Sequence, residues 1–212
     1  MIYLGSAKMD SENISDGNGR FSSQINGWGK LYDDFIDAGI LKEKIENFGR
    51  ISKESKRTVF SVALALHDAS VASGECRKDI AVIAVNQDCC QNANLAYFQD
   101  YAAHGRTIGR GNLFVGTLPT APGAMAGIAC GLHGPQYFCA FNADEQIGPA
   151  LKETKMLLES GEASEAVLIL SDVEAVAAFV FGSGKDNLNY SELDKGNGVA
   201  AFWKFVIAAQ RL

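Results

Sequence analysis

Continuous apolar runs interrupt the alternation of hydrophobic and polar positions along the chain. Two of them, IAVIAVNQ at residues 80–87 and EAVLILSDV at residues 165–173, are rich in β-branched side chains. Such runs suit strands that are buried on both faces of a sheet. The run GVAAFWKFVI at residues 198–207 is predicted as the last strand, and residues 2–5 form only a short apolar start.

Helical periodicity fills much of the chain between these runs. The clearest helix follows Ser52, a cap-type residue, and places apolar side chains at helical spacing, namely Val59, Val62, Ala63, Leu66 and Ala69. Weaker helical patterns cover residues 29–47 and 92–104, and a helix of small residues follows Pro119 and ends near Gly131. Helices that alternate with strands predict an α/β domain in which helices are layered on a mixed, mostly parallel sheet.

Polar stretches at residues 12–28 and 183–197 are rich in Gly, Ser and Asn and predict surface loops. No repeat, low-complexity tract or linker divides the sequence. Its 212 residues are enough for one core of ordinary size. The sequence therefore predicts a single domain over residues 1–212.

The charge pattern disfavours two classes of partner. The net charge is −6 and no long run of Lys or Arg occurs, so neither nucleic acid nor an anionic membrane is expected to bind. The N-terminus lacks a basic segment followed by an apolar run, and no apolar run reaches transmembrane length. The expected compartment is the cytoplasm.

The cysteines do not form a disulfide or metal pattern. An odd number of them occurs, at positions Cys76, Cys89, Cys90, Cys130 and Cys139. The adjacent pair Cys89 and Cys90 lacks the spacing of zinc ligands, and the nearest histidine is His104. We expect reduced thiols, with no metal and no cofactor.

One cysteine stands in a pattern typical of a nucleophile. The segment from Gly134 to Ala163 predicts a short apolar strand, a turn that holds Cys139, and a helix. A helix N-terminus favours a thiolate because its dipole and free N–H groups stabilise negative charge. Cys139 is therefore a candidate nucleophile.

Pro149 complicates this arrangement because proline is disfavoured inside a helix. If the helix starts near Gly148, its positive end lies away from Cys139, and a thiol flanked by aromatic residues then has a raised pKa. The alternative start at Asn142, with Glu145 as a capping partner, has to tolerate Pro149.

Four segments in a fixed order resemble the N-terminal half of the β-ketoacyl synthases, which have the thiolase fold. They are TVFSVALALHDA, IAVIAVNQ, NLFVGTLPTAPGAMAGIACGLHGP and IGPALKETKMLLESGEASEAVLIL. The resemblance covers roughly residues 55–206 and implies one βαβαβαββ half-domain. The synthases use a cysteine from this half and two histidines from the second half. This chain stops where that second half would start.

The resemblance also bears on the candidate nucleophile. Alignment on Ile147 and Gly148 puts Ala140 at the family's nucleophile position and Cys139 one residue before it, although a gap brings Cys139 into register. The histidines of this chain match none of the family's histidine motifs and are expected in surface or capping roles, at positions His67, His104 and His133.

The resemblance implies a partner subunit rather than a complete enzyme. Chain-length-factor proteins resemble ketosynthases, lack the nucleophile and help to shape the acyl tunnel of an active synthase. This chain looks like the short versions of aryl-polyene-type systems in fatty acid and polyketide biosynthesis. The implied partners are a full-length β-ketoacyl synthase subunit, in a heterodimer, and an acyl carrier protein that docks on that synthase.

In this superfamily the strand before the nucleophile turn lies at the dimer interface. The residues that the resemblance places there are Tyr137, Phe138, Cys139, Ala140 and Phe141. An ordinary core strand is the alternative. Uncovered apolar surface on a half-domain favours the interface.

Two other functions remain open on the sequence. The first is a free-standing acyltransferase or condensing enzyme that uses Cys139, with Asp144, Glu145 or His133 as its base. The second is a homodimeric module that binds a small acyl ligand.

Overall fold

The computed structural model describes residues 1–42, 45–71, 79–86, 90–107, 109–139 and 147–184, together with Val199 and Trp203. The strands of this part of the chain are β1 (Ile2–Met9), β2 (Asn13–Asp16), β3 (Ser22–Gln24), β4 (Ile80–Asn86), β5 (Gln136–Cys139), β6 (Glu165–Ser171) and β7 (Val176–Gly182). The helices are α1 (Trp28–Asp37), α2 (Lys53–Asp68), α3 (Gln91–Ala103), α4 (Gly111–Gly116), α5 (Ala121–Cys130) and α6 (Ile147–Ser160).

The seven described strands form one sheet in the order β3-β2-β1-β7-β6-β4-β5. Strand β4 pairs in parallel with both β5 and β6, whereas the other four pairings are antiparallel. The α/β domain with helices layered on a mixed sheet is therefore confirmed. The expectation that parallel pairings predominate is wrong, because β1, β2, β3 and β7 add an antiparallel half to the sheet.

These antiparallel strands were the part of the fold that local patterns indicated poorly. The short strands β2 and β3 lie within the polar stretch 12–28 that predicted a loop, and β1 extends well beyond residues 2–5. The apolar run of β7 is fully buried and follows the predicted strand at residues 165–173 closely. The predicted strand over residues 198–207 lies almost wholly outside the described residues, and Val199 and Trp203 are helical.

Helix α2 covers one face of the sheet and is buried along most of its length. Its N-cap is Ser52, whose hydroxyl accepts a hydrogen bond from the Ser55 backbone N–H at 3.1 Å, so the predicted start is confirmed. Phe60, near the middle of α2, is fully buried among four aromatic rings of α1 and the following segment, those of Trp28, Tyr32, Phe35 and Phe48. Helix α6 packs on the opposite face, so an apolar core lies on each side of the sheet.

The connection from α5 to β5 positions the edge of the sheet. Helix α5 ends at Gly131, as predicted, and the φ of 70° at this glycine gives a left-handed C-cap. Gly134 then passes against the backbone of β4, where a Cβ atom would lie only 2.2 Å from the Ile80 carbonyl oxygen. Only glycine permits this approach, and it sets the register in which Cys139 lies opposite Val85.

No helix in the described ranges is both long enough and apolar enough to cross a membrane.

Candidate functional site

Cys139 is the last residue of β5, at the carboxyl end of the parallel pair β4–β5. Successive side chains of β5 alternate between the two faces of the sheet. Phe138 packs on the core below α2 and α5, whereas Cys139 packs on the core below α6. The structure thus confirms the predicted strand, but the prediction that Cys139 lies in the turn after it is wrong, because Cys139 still pairs with β4 as part of β5. Ala140 and Phe141 lie outside the described residues.

The environment of Cys139 disfavours a thiolate. Burial raises the pKa of the Cys139 thiol, and the negative charge of Glu153 on α6 raises that pKa further. Both effects act against ionisation, because a thiolate loses hydration on burial and is repelled by a carboxylate. The pKa direction predicted from the sequence is confirmed, and the thiol is mainly protonated at neutral pH.

The helix start near Gly148 stays a prediction, because residues 140–146 lie outside the described residues. The described part of α6 begins at Ile147, and Pro149 follows two residues later. The first N–H groups of a helix have no acceptor within the helix, so proline removes no hydrogen bond there. The alternative start at Asn142 lies outside the described residues.

The candidate bases are not assembled around Cys139 in the described structure. His133 is exposed on the connection before β5, and the whole strand separates it from Cys139. His67 is exposed in the last turn of α2, on the other side of the sheet. Asp144 and Glu145 lie outside the described residues.

His104 has the capping role that the sequence predicts. It is the C-cap of α3, and its Nδ1 atom lies 2.8 Å from the Asp100 carbonyl oxygen. Its Nε2 atom lies 3.1 Å from the Arg110 guanidinium, which also pairs with the Asp100 carboxylate at 3.4 Å. This histidine therefore joins the end of α3 to the start of α4.

The outer edge of β5 is the edge of the described sheet. The Val82 N–H donates to the Pro135 carbonyl oxygen at 2.8 Å. Because backbone groups alternate in direction along a strand, Tyr137 also directs its N–H and C=O toward β4, and Gln136 and Phe138 direct theirs outward. Tyr137 is itself 40% exposed. Strand β5 thus offers backbone donors and acceptors that another strand can pair with.

A second exposed feature adjoins this edge and was not anticipated from the sequence. Helix α3 contains no buried residue, and several large apolar side chains of α3, α4 and the next turn are 41–62% exposed. We call these residues the α3–α4 apolar surface: Leu95, Phe98, Phe114, Val115 and Leu118. Thr120, two residues after Leu118, lines a shallow depression together with Tyr137, so the end of this surface lies near β5.

The other described cysteines are buried. Burial raises the pKa of the Cys130 thiol to about 12. The sulfur of Cys90 lies 3.3 Å from the Asn86 side-chain nitrogen and 3.6 Å from the Leu118 carbonyl oxygen. Among the described residues, no three His, Cys, Asp or Glu side chains come together as a metal site. Cys76 and Cys89 lie outside the described residues.

Solved structures of similar fold identify the architecture. A β-ketoacyl synthase from Burkholderia phymatum STM815 superimposes with a TM-score of 0.58 over 86% of this chain and 58% of its own, at 12% identity. A chain from the complex of the ketosynthase ApeO with its chain length factor ApeC, from Xenorhabdus doucetiae, gives a TM-score of 0.52 at 14% identity, over 85% of this chain and 80% of its own. The ishigamide ketosynthase/chain length factor gives 0.54 at 11% identity, over 84% of this chain and 60% of its own.

These similarities define the class of fold: the chain has the thiolase-like fold of ketosynthases. It spans 58% of the length of the Burkholderia synthase. By sequence, no family model matches the chain. No curated protein matches it either.

Proposed function

We propose that this chain is a non-catalytic, ketosynthase-like subunit of the chain-length-factor type. It pairs with an active β-ketoacyl-ACP synthase in fatty acid or polyketide biosynthesis of the aryl-polyene kind and shapes the acyl tunnel of that partner. The acyl carrier protein reaches the pair through the active synthase. The observation that carries the proposal is the open edge of β5 beside the α3–α4 apolar surface.

An edge strand and a continuous apolar surface together suit a protein interface. Large exposed apolar patches on soluble proteins are typical of interaction sites, and unpaired strand edges recruit strands of other chains. The exposed residues include two phenylalanines, Phe98 and Phe114, and Tyr137 on the edge strand. Aromatic side chains of this kind are enriched in the buried cores of protein interfaces. The proposed interface residues run from Tyr137 to Phe141, of which Ala140 and Phe141 lie outside the described residues.

The chemistry of Cys139 supports a non-catalytic role. A cysteine nucleophile reacts as its thiolate, and burial and Glu153 both raise the pKa of this thiol. None of the described histidines lies where it can accept the proton of Cys139. The alternative function, a free-standing acyltransferase that uses Cys139, requires a base to approach and lower this pKa.

Pairing is tested by co-expressing the chain with a full-length β-ketoacyl synthase from the same organism, followed by gel filtration. We expect a heterodimer. Replacement of Gln136 by proline removes an N–H that points outward from β5 and should weaken pairing, whereas Gln136→Ala keeps that N–H and should preserve it. A persistent homodimer that never pairs with the synthase would refute the subunit role.

The catalytic alternative is tested with the same complex. If the chain is non-catalytic, Cys139→Ala should leave condensation by the pair unchanged, whereas replacing the synthase's own nucleophile should abolish it. Loss of condensation in Cys139→Ala complexes of normal assembly would instead establish Cys139 as a nucleophile.

A further inference from the structure

A cleft of about 270 Å³ lies on the side of α2 that faces α4 and α5. The apolar part of its lining, which we call the floor, consists of Ile51, Val115, Ala121 and Met125. Val115 also belongs to the α3–α4 apolar surface and is 50% exposed. Met125 also packs against the main core, so the floor is held by the fold rather than by a surface loop alone. Such a floor favours an aliphatic or aromatic group over a fully polar ligand.

The rim of the cleft is polar and carries one cation. Arg50, Asn47 and Asn112 line it, and all three are exposed. The Arg50 backbone N–H donates to the Asn47 carbonyl oxygen at 2.8 Å, which fixes the short turn that carries the guanidinium. Within the described part of the chain, no carboxylate or carbonyl group pairs with that guanidinium. None of the residues that line the cleft is acidic.

The rim and the floor together favour a ligand that has one negative charge and an apolar part. Arginine binds carboxylates through two parallel hydrogen bonds, and neighbouring amide side chains can donate further ones. One cation balances a single negative charge, whereas a phosphate dianion would be left half neutralised. A cleft of this size suits a small ligand of roughly ten non-hydrogen atoms.

We propose that this cleft binds a small amphiphilic carboxylate, with the carboxylate on Arg50 and the apolar tail on the floor between Val115 and Met125. The cleft uses neither β5 nor Cys139, but it shares Val115 with the α3–α4 apolar surface. The inference goes beyond the proposed subunit role, and it is tested on the isolated chain without a synthase.

The probe is octanoate, which has about ten non-hydrogen atoms and one carboxylate, titrated into the full chain by calorimetry. We expect saturable binding with a Kd on the order of 0.1 mM. The matched compounds 1-octanol and octylamine keep the tail but lack the negative charge, so they should bind at least about tenfold more weakly.

Two variants within the cleft locate the site, and a third variant outside it is the control. Arg50→Gln removes the cation and should weaken octanoate binding about tenfold or more. Arg106→Gln removes the same charge from an exposed position after α3 and should leave binding unchanged. Ala121→Leu fills the floor and should abolish binding, provided that its melting curve shows a folded protein.

Three results would each overturn the proposal. They are no saturable binding of octanoate up to about 10 mM, equal binding of octanoate and 1-octanol, or an Arg50→Gln variant that binds octanoate as the parent chain does. These results are obtained on the isolated chain, whereas gel filtration of the chain with the synthase tests the subunit role separately.

Discussion

The carboxylate of Glu153, on α6, raises the pKa of the Cys139 thiol at the end of β5. The effect adds to the larger one of burial, so two independent features of the fold keep this cysteine protonated. A catalytic cysteine at the same place in a strand–turn–helix requires the opposite: a neighbouring positive charge or helix dipole that stabilises the thiolate.

Alkylation of Cys139 by iodoacetamide should therefore be slow at neutral pH. A raised pKa means a smaller thiolate fraction, so the labelling rate should still be rising at pH values where that of free cysteine has levelled off. Peptide mass spectrometry after timed labelling separates Cys139 from the other cysteines. Selective labelling faster than that of free cysteine at pH 7 would contradict this prediction and favour the enzyme.

Glu153→Gln should speed the labelling of Cys139, but by less than about tenfold, because it removes the smaller of the two causes. Glu159→Gln is the matched control on the same helix. Glu159 pairs with Lys155 at 3.6 Å and is exposed, so its neutralisation should leave the labelling rate of Cys139 unchanged. Equal effects of both substitutions would mean that Glu153 does not act locally.

Local chemistry was sufficient to predict the helices that carry this site. Ser52 is of a type that caps the start of helices, and α2 begins directly after it. Gly131 is of a type that ends helices, and α5 ends at it. The apolar runs of β4 and β6 likewise formed buried strands. In each of these cases the signal lies within the element itself.

Features that depend on distant pairing were not predictable in this way. Strands β2 and β3 are short and polar, and they are strands because β1 and β2 supply hydrogen-bonding partners. The edge position of β5 follows from the order of the whole sheet. Leu95 and Phe98 look like core residues in the sequence, and only the packing of α3 shows that both are exposed.

Asp68 at the end of α2 anchors the β2–β3 hairpin beside β1, and its replacement by asparagine should destabilise the fold. Its side chain is 0% exposed and accepts hydrogen bonds from the Ser6 backbone at 3.0 Å, Asn18 at 2.7 Å and Arg20 at 3.0 Å. Asparagine offers one acceptor oxygen, and its NH₂ group faces other hydrogen-bond donors. We therefore expect Asp68→Asn to lower the free energy of unfolding, measured with urea, by about 3 kcal/mol.

Arg20→Gln is the control for the Asp68 variant. Because 61% of the Arg20 side chain is exposed, losing its ion pair should cost about 1 kcal/mol or less. A loss for Arg20→Gln as large as that for Asp68→Asn would mean that the ion pair, rather than the buried hydrogen bonds, holds the hairpin.

Gly134→Ala should loosen the edge strand. The new Cβ would lie 2.2 Å from the Ile80 carbonyl oxygen, so β5 has to move away from β4 at a cost of about 2 kcal/mol. Gly29→Ala is the control: no atom lies within 4 Å of its Cβ position in α1, and alanine favours a helix by about 0.5 kcal/mol. Urea midpoints should fall for the first variant and rise slightly for the second.

Phe98→Glu should weaken pairing with the synthase while leaving the isolated chain folded. Phe98 is 62% exposed on a helix without buried residues, so a charge there costs the free chain little. Within the proposed interface the same charge is desolvated, and we expect a loss of affinity of about thirtyfold or more, as for a central interface residue. Surface plasmon resonance with the immobilised synthase measures this loss.

Met156→Glu provides the matched comparison for Phe98→Glu. Met156 is 53% exposed on α6, outside the α3–α4 apolar surface, and it receives the same charge. Its affinity for the synthase should stay within about twofold of that of the parent chain, since the charge remains hydrated. If both variants bind equally well, the α3–α4 apolar surface is not part of the interface; if both bind equally weakly, the effect reflects net charge rather than contact.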